Sequence, residues 1–188
     1  KLGELQKAAS SCQKAIQINP NYASAQNNLA AVFYETGELQ KAKNCYQKAI
    51  QIQPNDAVAH DNLGVVLNEL GEHKKAASSC QKAIQINSNY VSAHNNLGEI
   101  FRNLKEFQKA ADCFKKVDKP LSKAQFLECV YLSNGLENYN KLLNTFAEKD
   151  PTNLRIAALA AYVSKKENIK NIYPFCKNPL DYFFSINL

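Results

Sequence analysis

The chain has 188 residues, of which 45% are apolar and 21% are charged, and its formal net charge is +6. No apolar run approaches the roughly 18 residues that cross a bilayer, so we predict no membrane-spanning segment. The lysines recur at fixed points without aromatic residues between them, so the positive charge indicates a solvated outer face rather than a surface that binds nucleic acid.

A period of 34 residues runs through the first part of the chain. It is marked by Gly3-Glu4, Gly37-Glu38, Gly71-Glu72 and Lys105-Glu106, and again by Ala8, Ala42, Ala76 and Ala110. A fixed period of this size is typical of stacked repeats, because one unit cannot bury its apolar face without its neighbours. We therefore predict a repeat array over residues 1–117, made of a half repeat followed by three repeats.

The predicted elements of the array are helix pairs separated by short corners. In chain order the predicted helices span residues 3–18, 23–36 and 39–53, followed by the helix pairs of the units at 57–90 and 91–117. Pro20 and Pro54 end helices because proline cannot continue one, and Gly37 can take the positive φ of a tight corner. Ser88 stands in the place of a third proline, so Asn87-Ser88-Asn89 should turn through side-chain hydrogen bonds.

The period fails after Val117, and residues 118–188 are predicted to form a degenerate helical repeat with an irregular helical cap. Helices are expected over 121–133, 137–148 and 153–165, with a turn at Asn134-Gly135. The last stretch, 169–188, is rich in aromatic residues, and we interpret it as the segment that covers the open end of a repeat stack. A second binding surface made from these aromatic residues is the alternative.

Six cysteines raise the question of disulfides or a metal site. Four of them lie in the second helices of successive units: Cys12, Cys45, Cys80 and Cys113. No two cysteines form a C-x-x-C pair and no histidine lies at ligand spacing, so we predict small buried apolar residues, no metal and no cofactor. Reduced thiols in turn predict a cytoplasmic protein.

The sequence contains no pattern of catalytic residues. No nucleophile is matched with a base and no two carboxylates are paired at a bounded cavity, so we predict no enzyme activity within the chain. His60 and His94 lie one repeat apart, where a helix packs on the preceding unit, and we interpret both as packing residues.

The repeated residues resemble the tetratricopeptide repeat. The resemblance lies in Asn62-Leu63-Gly64, Gly71, Ala76, Ala83 and the endings at Pro20 and Pro54. It implies an all-α fold, in which antiparallel helix pairs wind into a right-handed superhelical solenoid whose first helices line the concave wall. Small residues such as Gly64 and Ala76 are then expected to let the two helices of a pair approach closely. Ser88, Lys105 and Val117 depart from the pattern.

The pattern AxxNNLG resembles more closely the repeats of the O-linked N-acetylglucosamine transferase. There an asparagine ladder binds the backbone of an extended peptide, and the matching residues here are Asn28, Asn62 and Asn96. A carboxamide has both a donor and an acceptor, so it can hold a peptide group without reading its side chain. The alternative is that each asparagine only caps or bridges a neighbouring loop.

The first helices are also expected to present the other residues of a peptide-binding groove. The predicted contact residues are Asn27, Asn28, Tyr34, Glu35, Asp61, Asn62, Glu69, Asn95, Asn96, Glu99 and Arg102. Four acids stand against one base in this set, which predicts a polar or basic extended ligand and binding that weakens as salt rises. Other adaptors of this family clamp a carboxylate with basic residues on the inner wall. The corresponding positions here hold none, so such a clamp is not expected.

The run from Ile172 to Tyr182 resembles, in bacterial proteins, the junction between such repeats and a domain assigned as a 2-oxoglutarate and iron oxygenase. The chain also lacks methionine and begins within a repeat. We therefore expect a bacterial protein of which this chain is one piece.

The sequence as a whole predicts a non-catalytic scaffold for protein–protein interaction, with a protein or peptide ligand. Two alternatives stay open: a self-association module, and the substrate-docking arm of a larger enzyme. An RNA-binding helical repeat is disfavoured because the inner wall lacks the basic residues that phosphates require.

Overall fold

The computed structural model describes residues 2–150 and 152–168, and every regular element in these ranges is an α-helix. The helices are α1 (Leu2–Ile18), α2 (Ala23–Glu35), α3 (Leu39–Ile52), α4 (Ala57–Glu69), α5 (His73–Ile86), α6 (Val91–Asn103), α7 (Phe107–Phe114), α8 (Pro120–Lys149) and α9 (Leu154–Glu167). The predicted all-α class is confirmed. The cap predicted over 169–188 lies outside the described residues.

The chain divides into two compact units, residues 1–104 and 105–188. The first unit holds α1 to α6, and the described part of the second holds α7 to α9. The division predicted between residues 117 and 118 stays a prediction.

Small residues bring the helices of the first unit together. Ala30, Ala42 and Ala76 have no exposed surface. A Cβ added to Gly64 would lie 2.4 Å from the Cys80 Sγ and 3.2 Å from the Ala76 carbonyl oxygen. No real side chain tolerates the first distance, so α4 and α5 pack as closely as the sequence predicts.

The corners between helices follow the expected chemistry. Gly37 and Gly71 have φ values of 79° and 77°, whereas Lys105 takes a φ of 60°, at a cost of about 1–2 kcal/mol for a residue with a Cβ. At the corner without a proline, the Asn89 backbone N–H donates to the Asn87 Oδ1 at 3.1 Å. The predicted side-chain hydrogen bond is therefore present, and an equivalent bond from the Asn21 N–H to the Asn19 Oδ1 at 3.1 Å occurs beside Pro20.

Two histidines stabilise the loops that precede their own helices. The His60 Nε2 lies 3.0 Å from the Pro54 carbonyl oxygen, and the His94 Nε2 lies 2.9 Å from the Ser88 carbonyl oxygen. Each contact spans six residues and ties a first helix to the loop before it, so both imidazoles have a structural partner.

The second unit replaces the regular helix pair with one interrupted helix. Gly135, with φ 74° and ψ −167°, breaks α8 at the predicted turn. The two halves pack side by side, with the Tyr131 and Tyr139 rings edge to face at 5.6 Å between centroids. The helix α7 ends at Phe114, earlier than the predicted end near Val117.

Candidate interaction face

The first helices of the repeats, α2, α4 and α6, are joined by hydrogen bonds between polar side chains. The Tyr34 hydroxyl donates to the Glu69 carboxylate. The Asn96 Nδ2 donates to the Asp61 Oδ1 at 3.0 Å. All the predicted contact residues lie on these three helices, and we call the face that carries the predicted asparagine ladder the wall.

A further hydrogen bond of this kind joins α4 and α6 near their C-terminal ends, where the Asn103 Nδ2 donates to the Asn68 Oδ1 at 3.1 Å. Each of these three bonds joins residues 35 apart in sequence. The spacing is one residue longer than the period, so each residue meets the position after its own equivalent in the next unit. Complementary polar pairs at this spacing are the sequence signal that could have revealed the bonds.

The three asparagines of the predicted ladder occupy different environments. Asn28 is exposed, whereas Asn62 and Asn96 are half-buried. A hydrogen bond with Asn62 opposes the effect of burial, which raises the pKa of Tyr46 to about 12. Asn62 and Asn96 are thus engaged with neighbours, while Asn28 makes no hydrogen bond to a described residue.

The residues one position before the ladder have partners within the protein. The Asn27 Nδ2 donates to the Asp56 Oδ2 at 2.7 Å, and the other oxygen of Asp56 caps α4 by accepting from the backbone N–H of Val58 and Ala59. Asn27 therefore braces the start of the next helix. Asn95 is half-buried and also has a partner within the protein.

The structure differs most from the prediction at Asp61. Its side chain is only 1% exposed and also accepts from the Cys80 Sγ at 3.7 Å. One residue of helix turns the side chain by about 100°, enough to move Asp61 from the wall to the contact with α5. Asp61 therefore orients Asn96 from beneath and does not line the groove.

The charged residues of the wall divide into exposed acids and one ion pair. Glu35 and Glu69 are exposed, and the hydrogen bond with Glu69, aided by burial, raises the pKa of Tyr34 to about 12. Glu99 and Arg102 form an ion pair at 3.0 Å and are half-buried. With Asp61 buried, the acidic character of the wall rests on Glu35 and Glu69.

The residues that the structure describes hold no cluster of three or more His, Cys, Asp or Glu side chains suited to a metal ion. Within the same ranges, no helix has the length and apolar character to cross a membrane. Cys80, Cys113 and Cys129 are buried, Cys12 and Cys45 are half-exposed, and none of these five described cysteines is in a disulfide. The prediction of small buried residues therefore holds for some of these cysteines only.

Models of one repeat family match the first part of the chain. Residues 1–37 and 31–71 match a model described as TPR repeat, and residues 57–90 and 91–119 match one described as tetratricopeptide repeat. No curated protein matches the sequence.

Solved structures resemble this chain in fold. A crystal structure of MamA protein has a TM-score of 0.72 and 20% identity, over 79% of this chain and 84% of that one. YrrB, described as a TPR protein with an unusual peptide-binding site, has a TM-score of 0.70 and 21% identity, over 87% and 84%. PilF of Pseudomonas aeruginosa has a TM-score of 0.70 and 24% identity, over 88% and 78%. These likenesses show the fold, an α-solenoid of helix pairs.

Proposed function

Because its first 119 residues match the repeat models, this chain belongs to the tetratricopeptide-repeat family, and we propose that its wall binds an extended polar or basic segment of another protein. The coarser part of this statement, a scaffold for protein interaction, follows from the family. The ladder and the class of ligand are the proposal.

The observation that supports the proposal is the chain of hydrogen bonds between successive first helices. Because Asn96 is held by Asp61 and Asn62 by Tyr46, their carboxamides are oriented before a ligand arrives. Preorganised groups lose less conformational entropy on binding, so more of the interaction energy appears as affinity.

The bonds also indicate which atoms would meet a ligand. The Asn96 amide nitrogen donates to Asp61 and to Ser92 within the protein, so its carbonyl oxygen is the atom that can accept from a ligand's backbone N–H. Asn28 can both donate and accept. At Asn96 the proposed ladder therefore binds by accepting a hydrogen bond from the peptide backbone.

Exposed acidic side chains at one end of the wall favour a ligand with a basic residue there. Glu35 and Glu69 are exposed on the last turns of α2 and α4, beside the bond that joins those helices. A lysine or arginine of the ligand is favoured there, and the attraction weakens as salt screens it. The neighbouring fold described as peptide-binding, YrrB, supports a peptide ligand as well.

A single substitution tests the ladder without disturbing the fold. We expect Asn28→Ala to weaken the binding of a basic extended peptide by several-fold, since one hydrogen bond contributes about 0.5–1.5 kcal/mol, and to leave thermal melting unchanged. Asn55→Ala is the matched control, because Asn55 is also an exposed asparagine but lies outside the first helices.

The triple variant Asn28→Ala, Asn62→Ala, Asn96→Ala should lose binding altogether. It should also melt at a lower temperature, since it leaves the Tyr46 hydroxyl and the Asp61 carboxylate without these partners. A peptide array in which binding follows acidic rather than basic sequences would contradict the proposal.

Self-association, the docking of an enzyme's substrate, the cytoplasmic location and the bacterial source remain predictions from the sequence.

A further inference from the structure

Each unit contains a groove built from the same three kinds of helix. The first groove lies between α3, α4 and α5 and has a volume of about 420 Å³. The second groove lies between the end of α7 and the two halves of α8, with a volume of about 500 Å³. Neither groove contains a residue of the wall.

The positions that line the two grooves are equivalent. Leu63 is the seventh residue of α4, and Phe126 is the seventh residue of α8. His60 and Lys123 are the fourth residues of the same two helices. All four line their grooves.

The residues on the other side of each groove also occupy equivalent positions when they are counted from the corner glycine that precedes them. Ser78 and Lys82 follow Gly71 by seven and eleven residues, and line the first groove. Leu142 and Phe146 follow Gly135 by the same intervals and line the second. The regular repeat thus serves as an internal reference for the degenerate one.

The chemistry of the two grooves is different. Serine and lysine at these positions make the first groove more polar than the second, where leucine and phenylalanine form an apolar floor. Phe126 and Phe146 pack edge to face, with 6.3 Å between ring centroids. Both rings, and Leu142, are only half-buried, so apolar surface that could be buried at roughly 25 cal/mol per Å² remains open to water.

Lysines surround this apolar floor. Lys123 is already paired with Asp118 at 2.9 Å and lies 3.8 Å from Asp150. Lys115 and Lys149 are exposed, and neither forms an ion pair within the described ranges. They come from the end of α7 and the end of α8, so two uncompensated cations are supplied by different helices.

We propose that the second groove is a separate docking site for a partner protein, and that it accepts a large apolar side chain flanked by carboxylates. The apolar side chain would cover Phe126 and Phe146, and the carboxylates would pair with Lys115 and Lys149. This charge preference is opposite to that of the wall, so the two sites select different segments.

Fluorescence anisotropy with short labelled peptides tests the proposal on the full chain. The probe is a peptide with one phenylalanine flanked on each side by two aspartates. One control peptide has lysines in place of the aspartates, and another has serine in place of the phenylalanine. We expect measurable binding of the probe alone.

Variants locate the site. Lys115→Glu with Lys149→Glu should weaken binding of the probe by about tenfold or more, because opposite charges become like charges. Leu142→Ser, which introduces the residue of the first groove, should weaken it as well. Lys82→Glu is the matched control, since Lys82 is an exposed lysine of the first groove, and it should leave binding unchanged. Circular dichroism melting establishes that each variant is folded.

Three outcomes would overturn the proposal. The first is equal binding of the probe by the charge-reversed and unaltered chains. The second is loss of probe binding in Asn28→Ala, which would place the peptide on the wall. The third concerns the segment 180–184, Leu-Asp-Tyr-Phe-Phe, which has the same chemistry. If Phe183→Ser with Phe184→Ser strengthens probe binding, this chain and not a partner occupies the groove.

Discussion

Both units of the chain bury large apolar residues, such as Ile100 and Leu127, but they differ in how their close contacts between helices are made. The first unit closes its helices on alanine and glycine, with Ala59, Ala76 and Ala83 fully buried. The second unit buries large residues, among them Leu127, Tyr139 and Ile156, in one cluster with several alanines. A small residue can recur at the same position in every repeat without a change in the residues around it. A large residue packs well only against neighbours of complementary shape.

One polar contact of the second unit has a counterpart in the first. Tyr131 is the twelfth residue of α8, as Tyr34 is of α2. The Tyr131 hydroxyl donates to the Glu167 carboxylate, as the Tyr34 hydroxyl does to Glu69. The second unit therefore has the same kind of hydrogen bond between α8 and α9 as the first has between α2 and α4, while its groove is more apolar. The tyrosine of this hydrogen bond has the same position in its helix in both units, whereas the residues that line the two grooves differ in polarity.

The largest effect expected from this contrast is at Leu127, which has no exposed surface. Leu127→Ala should lower the free energy of unfolding by about 2–5 kcal/mol, because it removes buried methyl groups and leaves a cavity. Leu132→Ala is the matched control, since Leu132 is 45% exposed, and it should cost far less. Denaturant titration measures both variants.

Amide hydrogen exchange tests whether the effect of Leu127→Ala is larger in the second unit than in the first. Leu127→Ala should speed exchange in α8 and α9 more than in α2 to α5, because repeat units open locally. Equal acceleration throughout the described helices would show that the two units do not differ in this way.

A smaller effect is expected at the close contact in the first unit. Gly64→Ala should cost about 1–3 kcal/mol, because the added methyl group overpacks the space before the Cys80 Sγ. Gly3→Ala is the control, since a Cβ there would meet nothing within 4 Å.

Thermal melting of a double variant tests whether contact with the Cys80 Sγ causes the destabilisation expected of Gly64→Ala. Adding Cys80→Ala to Gly64→Ala should give less destabilisation than the sum of the single changes, since the sulfur that the methyl group meets is gone. Simple additivity would show that α4 and α5 are not limited by this contact.

The smallest effect concerns the two ion pairs of Glu72, which precedes α5: one with Lys43 of α3 and one with Lys75 of α5 itself. Hydrogen bonds from Lys43 and then Lys75 hold the pKa of Glu72 below its usual value. A carboxyl group with a lowered pKa stabilises the fold above its unfolded pKa, and this contribution disappears as pH falls through the folded pKa.

Melting curves of Glu72→Gln should therefore show a slightly lower midpoint at pH 7, and the difference from the unaltered chain should shrink as the pH falls below about 4. Glu4→Gln is the control, because Glu4 meets Lys7 at 3.5 Å with both side chains largely exposed. A difference for Glu72→Gln that persists or grows at low pH would rule out the ion pairs as its cause.

The sequence by itself determined the repeat, the corners and the small residues at the close contacts. Each of these depends on a local property: proline ends a helix, glycine accepts a positive φ, and alanine at a fixed interval permits close approach. The 34-residue spacing repeats these properties in register, so Gly64, Gly71 and the turn at Asn87-Ser88-Asn89 could be interpreted without neighbours in space.

Only the tertiary structure decided which side chains reach solvent. Asp61 and Asn62 are adjacent in sequence, yet the first is buried against Cys80 and the second remains at the wall. The second groove likewise became visible only when Phe126 and Phe146 were brought together by the break at Gly135. The reason is geometric: adjacent helical residues diverge by about 100°, and the neighbouring helices determine which direction is core.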